Sequence, residues 1–161
     1  MNKTAIIDGT TDESRTFGEY HTTMCSLAAS LSDLGITSIS KVALFCPNNV
    51  DYVPISLSVT MIGAKLVPIN PAFKVNELEK ILSGSKAEAI FVHSSVLDVA
   101  LQAIQNVDCV KYVIVIPDAS GDCHSEGIMN LNDMRVHDTP WHESAKNIKT
   151  SKHFAVLPYS R

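Results

Sequence analysis

Residues 41–70 read KVALFCPNNVDYVPISLSVTMIGAKLVPIN, with a short apolar run near each end at 42–46 and 66–69. Each run has the length of a buried strand. Pro47, Asn48 and Asn49 close the first run with turn chemistry and offer side-chain oxygens that can cap a helix. Gly63 ends the middle segment before the second run begins. A strand, a crossover of about a dozen residues or more and a second strand make the βαβ unit of a parallel sheet. This stretch constrains the fold more than any other.

The middle segment fits two periods. Ile55, Leu57, Val59 and Met61 alternate with Ser56, Ser58 and Thr60, which is a strand spacing. Its length, a preceding Asn or Asp cap, and small hydroxyl residues that fit a helix covered on several sides favour a helix instead. Pro54 suits the first helical turn, with Asp51 as the cap, because the amide proline lacks is unpaired there anyway. The segment is read as a helix.

A chain of 161 residues suits one domain with a real core. Its net charge of −4 and lack of a basic run argue against nucleic acid or an anionic membrane as a partner. Charged residues make up 19%, against about 25% in average soluble domains, which hints at surface meant to be covered. No apolar run approaches the roughly 18 residues of a membrane span. The opening MNKTAIIDG turns polar and acidic too soon for a signal peptide. Cys25, Cys46, Cys109 and Cys123 lie far apart without a C-x-x-C pair, as in a reduced intracellular chain with structural thiols. Cys123, His124, His137 and His142 have ligand chemistry but match no standard metal spacing, so no metal site is assigned.

In chain order, residues 4–8 and 15–17 read as two short strands around a polar turn at 9–14. Asp12 and Glu13 adjoin in that turn, where an exposed hairpin tip explains them better than a catalytic carboxylate pair. Thr16 and Glu19 form a T-x-x-E capping box. Tyr20, Met24, Leu27, Leu31 and Leu34 follow as one helical stripe, ended by Gly35. After the central unit, Asn76 is expected to cap a helix bearing Leu78, Ile81 and Leu82, with Gly84 as its stop. Residues 89–92 form a third parallel strand. Ser94 or Ser95 caps the next helix, whose inner face is expected at Leu97, Leu101 and Ile104. Residues 112–116 are a fourth strand, closed by Pro117. From 118 to 150 the pattern thins, apart from a helical turn around 131–135, and residues 154–157 make a fifth apolar run.

Alternating strands and helices predict an α/β fold, a largely parallel open sheet flanked by helices with a short N-terminal hairpin. Ligands in such sheets bind beyond the carboxyl ends of the strands. No G-x-G-x-x-G or G-x-x-x-x-G-K occurs to cradle phosphates. Gly84-Ser85-Lys86 precedes a strand and reads as a helix stop. His93 ends a strand, a place suited to acid–base work, but no partner is evident in the sequence and it reads as a loop histidine.

The segments RTFGEYHTTMCSLAASLSDLGI, KVALFCPNNVDYVPISLSVTMIGAKLVPINPAFKVNELEKIL, AEAIFVHSS and FAVLPYS, in that order, resemble the N-terminal part of the AMP-forming adenylating enzymes. The resemblance is to the 4-coumarate–CoA ligase, fatty acyl-CoA synthetase and firefly luciferase branch, and is weakest between 118 and 152. It implies a family that joins a carboxylic acid to ATP, releases pyrophosphate, and then usually passes the acyl group to coenzyme A. The family's Ser/Thr/Gly-rich phosphate loop, ending in Pro-Lys-Gly, follows a strand of the form A-x-L-x-Y-S. Here that strand is matched by Ala155, Leu157, Tyr159 and Ser160, and Arg161 stands where the loop would continue. In the family the phosphate loop, the adenine-binding segment, the acidic metal and ribose contacts and the C-terminal domain with its catalytic lysine all lie beyond position 161.

The resemblance therefore implies a partial N-terminal AMP-binding domain over 1–161, an N-terminal fragment not expected to catalyse the family reaction alone. No catalytic, cofactor-binding or metal residue is assigned within it. ATP, magnesium and coenzyme A are cofactors implied for the full-length family, and none is expected for this chain. Two alternatives stay open. One is a standalone α/β module that binds a nucleotide or CoA. The other is a non-catalytic partner of a full-length relative. Self-association is expected of uncovered apolar surface, and the cytoplasm is the expected compartment, with the peroxisome possible for a longer form.

Overall fold

The computed structural model describes residues 2–118, 127–135, 148–149 and 151–159. Strands β1 (Thr4–Ile7) and β2 (Ser14–Thr16) form an antiparallel hairpin. Its tip holds Asp12 in the left-handed region at φ 58°, and Glu13 pairs with Arg15 instead of with a second carboxylate. Helix α1 (Phe17–Asp33) starts directly after β2. The Thr16 N–H donates to the Glu19 carboxylate at 2.7 Å and the Glu19 N–H to Thr16 Oγ1 at 3.2 Å, closing the expected capping box. Phe17, expected to end the strand, is instead the first residue of this helix.

The central unit is a βαβ crossover: β3 (Lys41–Phe45), α2 (Tyr52–Met61) and β4 (Lys65–Ile69), with β3 parallel to β4. Residues 55–61 are thus helical, and Pro54 sits in the first turn as expected. Asp51 occupies the cap position but makes no capping bond with its side chain. Asn49 takes that role: its Oδ1 accepts from the N–H groups of Asp51 at 2.9 Å and Tyr52 at 3.0 Å. Gly63 ends the crossover at φ +78°, and a Cβ there would stand 3.1 Å from Ser38 Cβ.

Helix α3 (Val75–Ser85), β5 (Ala89–His93), α4 (Leu97–Ile104) and β6 (Tyr112–Ile116) continue the alternation. Four local expectations are corrected. Asn76 lies inside α3, whose start is fixed two residues earlier by the Lys74 N–H donating to the Glu77 carboxylate at 3.0 Å. Gly84 does not stop that helix. Lys86 does, in the left-handed conformation at φ 56°, with its N–H on the Leu82 carbonyl. Between β5 and α4 stands a 3-10 turn, Ser94–Val96, capped by the His93 ring instead of a serine. The buried residues of α4 are Ala100 and Ala103, with Leu97 and Ile104 at the margin of the core.

The strands after the hairpin, with β7 at Met129–Asn130, form one five-stranded sheet ordered β4-β3-β5-β6-β7, every pair parallel. Strand β7 (Met129–Asn130) has no counterpart in the sequence pattern, because two residues carry no period. The helical turn expected near 131–135 is a 3-10 turn at Asp133–Arg135. The run at 154–157 contributes one parallel bridge, Leu66 with Val156, at the outer edge of β4.

Two cores flank the sheet. On one face Leu27 and Leu31 of α1 and Ile55 and Val59 of α2 pack on Val42, Leu44, Phe91 and Ile114. On the other, Leu78 and Leu82 of α3 and Ala100 and Ala103 of α4 pack on Phe45, Val67, Ile90 and Val92. Strands covered on both sides must be apolar at successive positions, which is why these runs do not alternate. Among the described residues no helix is long and apolar enough to cross a membrane.

Candidate functional site

The carboxyl ends of β3, β5 and β6 open into one cleft of about 660 Å³. Asn48, Asn49 and Asp51 line it from the turn after β3, His93 from the end of β5, and Pro117 and Asp118 from the end of β6. Asp8, Glu13 and Arg15 of the hairpin wall one side, and Asn132 and Arg135 another. This is the position at which open α/β sheets take their ligands.

His93, like Glu13 singled out in the sequence, is brought by the fold to the cleft, and it has a partner after all. Its Nδ1 accepts from the Ser95 N–H at 3.2 Å and lies 2.8 Å from Ser95 Oγ. A ring nitrogen accepting from a main-chain amide carries no proton, so the neutral ring holds its proton on Nε2. Burial pushes the His93 pKa below the ordinary histidine value, and the nearby charges of Asp118 and Asp51 oppose that shift without cancelling it. The ring is therefore a neutral hydrogen-bond donor through Nε2, poorly suited to accept a proton in this tautomer.

Arg135 and Asp51 form an ion pair across the cleft wall, with their side chains 25% and 15% exposed. Arg135 Nη1 donates to Asn132 Oδ1 at 3.3 Å, while its Nε is buried without a hydrogen-bond partner among the described residues. The 3-10 turn that carries Arg135 is fastened to α1 by Ser30 and Ser26, whose hydroxyls donate to the Met134 carbonyl at 2.9 and 3.3 Å. Tyr20 of α1 donates to the Val50 carbonyl at 2.9 Å and steadies the turn after β3. Below that turn, Cys46 Sγ donates to the Pro47 carbonyl and accepts from Asn49 Nδ2 at 3.2 Å. Burial pushes the Cys46 thiol up to about 12, so it is a structural group and not a nucleophile.

Both guanidinium groups of the cleft are engaged, Arg15 by Glu13 and Arg135 by Asp51. Among the described residues no glycine-rich loop supplies converging amides, and no three His, Cys, Asp or Glu side chains come together as a metal site. Gly84-Ser85-Lys86 lies at the end of α3, where the buried Ser85 hydroxyl donates to the Leu82 carbonyl at 3.2 Å. The Tyr159 ring lies against Gly84. Ser160, Arg161, Cys123, His124, His137 and His142 fall outside the described residues. Sequence reasoning missed Asp51 and Arg135 as cleft-lining residues and Ser95 as the partner of His93. The short His-x-Ser spacing was the available signal for the last of these.

The profile of the family described as AMP-binding enzyme matches residues 1–160. A Rhodococcus jostii (strain RHA1) ligase, 3-[(3aS,4S,7aS)-7a-methyl-1,5-dioxo-octahydro-1H-inden-4-yl]propanoyl:CoA ligase, is 29% identical over 134 residues, covering 81% of this chain and 26% of the relative. The 4-coumarate–CoA ligase 1 of Arabidopsis thaliana is 26% identical over 159 residues, covering 98% of this chain and 28% of the relative. The crystal structure of a long-chain-fatty-acid–CoA ligase from Archaeoglobus fulgidus superimposes with a TM-score of 0.78 at 28% identity, over 98% of this chain and 31% of that one. This chain spans between a quarter and a third of the length of the relatives it matches. With its profile matched over residues 1–160, the chain belongs to the AMP-binding enzyme family.

Proposed function

We propose that these 161 residues are the N-terminal segment of an AMP-forming carboxylic acid–CoA ligase, and that they do not form an acyl-adenylate unaided. The observation that carries this reading is the span of the match: 98% of the chain aligns with only 28% of a 4-coumarate–CoA ligase. The chemistry supports it. Adenylyl transfer needs cations and oriented amides around the phosphates, whereas the cleft here offers two guanidinium groups already held by carboxylates. ATP, magnesium and coenzyme A belong to the activity of the longer protein on this reading, which works in the cytoplasm or, in a full-length form, the peroxisome. The test is acid-dependent exchange of pyrophosphate into ATP by the purified chain. No exchange above a protein-free blank is expected, and exchange that follows the protein through two unrelated purification steps would overturn the proposal.

A second reading draws on the cleft itself. Its neutral His93 donor and polar rim suit a small polar ligand, as in a standalone module that binds a nucleotide or CoA without chemistry. Saturable heat on titrating AMP, ATP or CoA, lost in His93→Phe, would put this reading first. Coprecipitation with a full-length relative, without any such heat, would favour a non-catalytic partner instead.

A further inference from the structure

Short Ser, Thr, Asp and Asn side chains lead as helix caps. The chain between β5 and α4 supplies two serines, Ser94 and Ser95, yet the cap is the His93 ring, whose Nδ1 receives the Ser95 N–H. Ser94 Oγ, next in the chain, is buried and has no hydrogen-bond partner among the described residues. A buried hydroxyl without a partner is rare and calls for a reason. Val96, the residue before α4, makes no side-chain capping bond. The 3-10 turn Ser94–Val96 and the helix after it therefore begin on one imidazole.

That imidazole can hold the turn in one charge state only. Nδ1 has a single lone pair, and it faces both the Ser95 N–H at 3.2 Å and Ser95 Oγ at 2.8 Å. A proton on Nδ1 makes it a donor. The Ser95 hydroxyl can rotate and accept from it, but the main-chain N–H cannot reverse and loses its acceptor. A cationic ring is also disfavoured at a helix N-terminus, where the peptide dipoles present positive charge. The cleft draws it the other way. Asp118 from the end of β6 and Asp51 from the turn after β3 both act on the ring by their charge. The hairpin lines the same cleft with Asp8, Glu13 and Arg15, and Arg135 stands beside Asp51. Helix α4 itself contributes Asp98 in its first turn. Carboxylates thus outnumber guanidinium groups around the ring.

We propose that acid moves the cap from His93 to Ser94: the protonated ring leaves the Ser95 N–H for the carboxylates of the cleft, and the buried Ser94 hydroxyl becomes the capping acceptor. A serine cap at 94 serves the N–H of Val96 or Leu97, so the start of the helical run moves on by one residue. Two caps side by side make a two-position element that one proton biases. Above the transition the cleft holds a neutral ring that donates through Nε2, and below it a positive charge. Burial keeps the ring's pKa under the ordinary 6.5, so the exchange lies in acid below that value. The switch belongs to this stretch of chain and is independent of both readings of the cleft.

The test is residue-resolved amide hydrogen exchange of the 161-residue chain by NMR, from well above to well below pH 6.5, with the ring's carbon-bound protons reporting its titration. As the ring titrates, the protection factor at Ser95 should fall about fivefold or more, while Leu97 and the rest of α4 keep theirs. Ser94→Ala should match the parent chain above the transition and lose protection at Val96 and Leu97 below it. In His93→Asn, whose side chain caps without titrating, protection at Ser95 should be the same throughout. Equal protection of Ser95 on both sides of the ring's titration in the parent chain would overturn the proposal. So would a Ser94→Ala chain that behaves as the parent in acid, or an acid loss at Ser95 that persists in His93→Asn. Loss of protection across the whole sheet in step with the ring would overturn it too, since the proton would then unfold the chain instead of moving a cap.

Discussion

The Ser30 hydroxyl donates to the Met134 carbonyl at 2.9 Å, joining positions 104 apart in sequence. Ser26 reaches the same oxygen at 3.3 Å from the preceding turn of the helix. These two bonds hold the 3-10 turn against α1 and set where Arg135 stands in the cleft. Ser30→Ala is expected to cost about 1 kcal/mol, since one hydroxyl still reaches the carbonyl. Ser26→Ala with Ser30→Ala should cost about 1–3 kcal/mol, because a buried acceptor then loses both partners. Urea melts of the single and double variants measure the difference.

Gly63 and Gly35 share a left-handed backbone but not their surroundings. Gly35 at φ +81° has nothing within 4 Å of an added Cβ, whereas at Gly63 that atom would crowd Ser38 at 3.1 Å. Gly35→Ala should lose about 1–2 kcal/mol from backbone strain alone. Gly63→Ala should lose more, as the crossover must also shift. Equal losses in paired melts would show that the close approach to Ser38 is readily relieved.

Asn49→Ala should cost about 1 kcal/mol by removing the side-chain oxygen that serves the first amides of α2. Asp51→Asn leaves those two bonds in place and weakens the pair with Arg135 instead. Amide hydrogen exchange separates the cases: the first turn of α2 should lose protection in the Asn49 variant and keep it in the Asp51 variant.

His93 makes stability depend on pH. Its pKa in the folded chain lies below the unfolded value, near 6.5. Above 6.5 the ring is neutral in both states, and the neutral-ring packing contributes in full. As pH falls below 6.5 the unfolded chain takes up the proton first, so stability drops until the folded pKa is passed. The difference in stability between the parent chain and His93→Gln should shrink over that acid interval. A constant difference from well above to well below 6.5 would contradict this account.

Cys46, at 2% exposure and with its pKa at about 12, should resist thiol reagents in the folded chain. Mass spectrometry after brief alkylation should find Cys46 unmodified until urea unfolds the sheet.

How much of this was legible in the sequence depended on how local the cause is. Thr16 with Glu19 forms a box within one turn of chain, and Pro54 carries its constraint in its own ring, so α1 and the helical crossover were readable. The four parallel strands from β3 to β6 were readable because burial on both faces leaves continuous apolar runs. Elements whose cause lies far away were not. Met129 and Asn130 are a strand only because β6 offers its edge. Ser26 and Ser30 look like ordinary small residues until Met134 arrives beside them. Gly84 misled because a glycine can end a helix, while Lys86, two residues on, supplies the left-handed turn here. The cleft was placed correctly in kind, at the carboxyl ends of the strands, but Asp51 and Arg135 meet only through tertiary structure.

The bridge from Leu66 to Val156 also sets an order of events while the chain is being made. Strands β4, β3, β5 and β6 are complete once Ile116 has left the ribosome, and sequential crossovers let them assemble as they emerge. Val156 follows roughly two to eight seconds later at about 5–20 residues per second. Domains of this mixed class fold faster than that. The outer side of β4 therefore waits bare through that interval on every molecule synthesised, and the speed of translation decides how long.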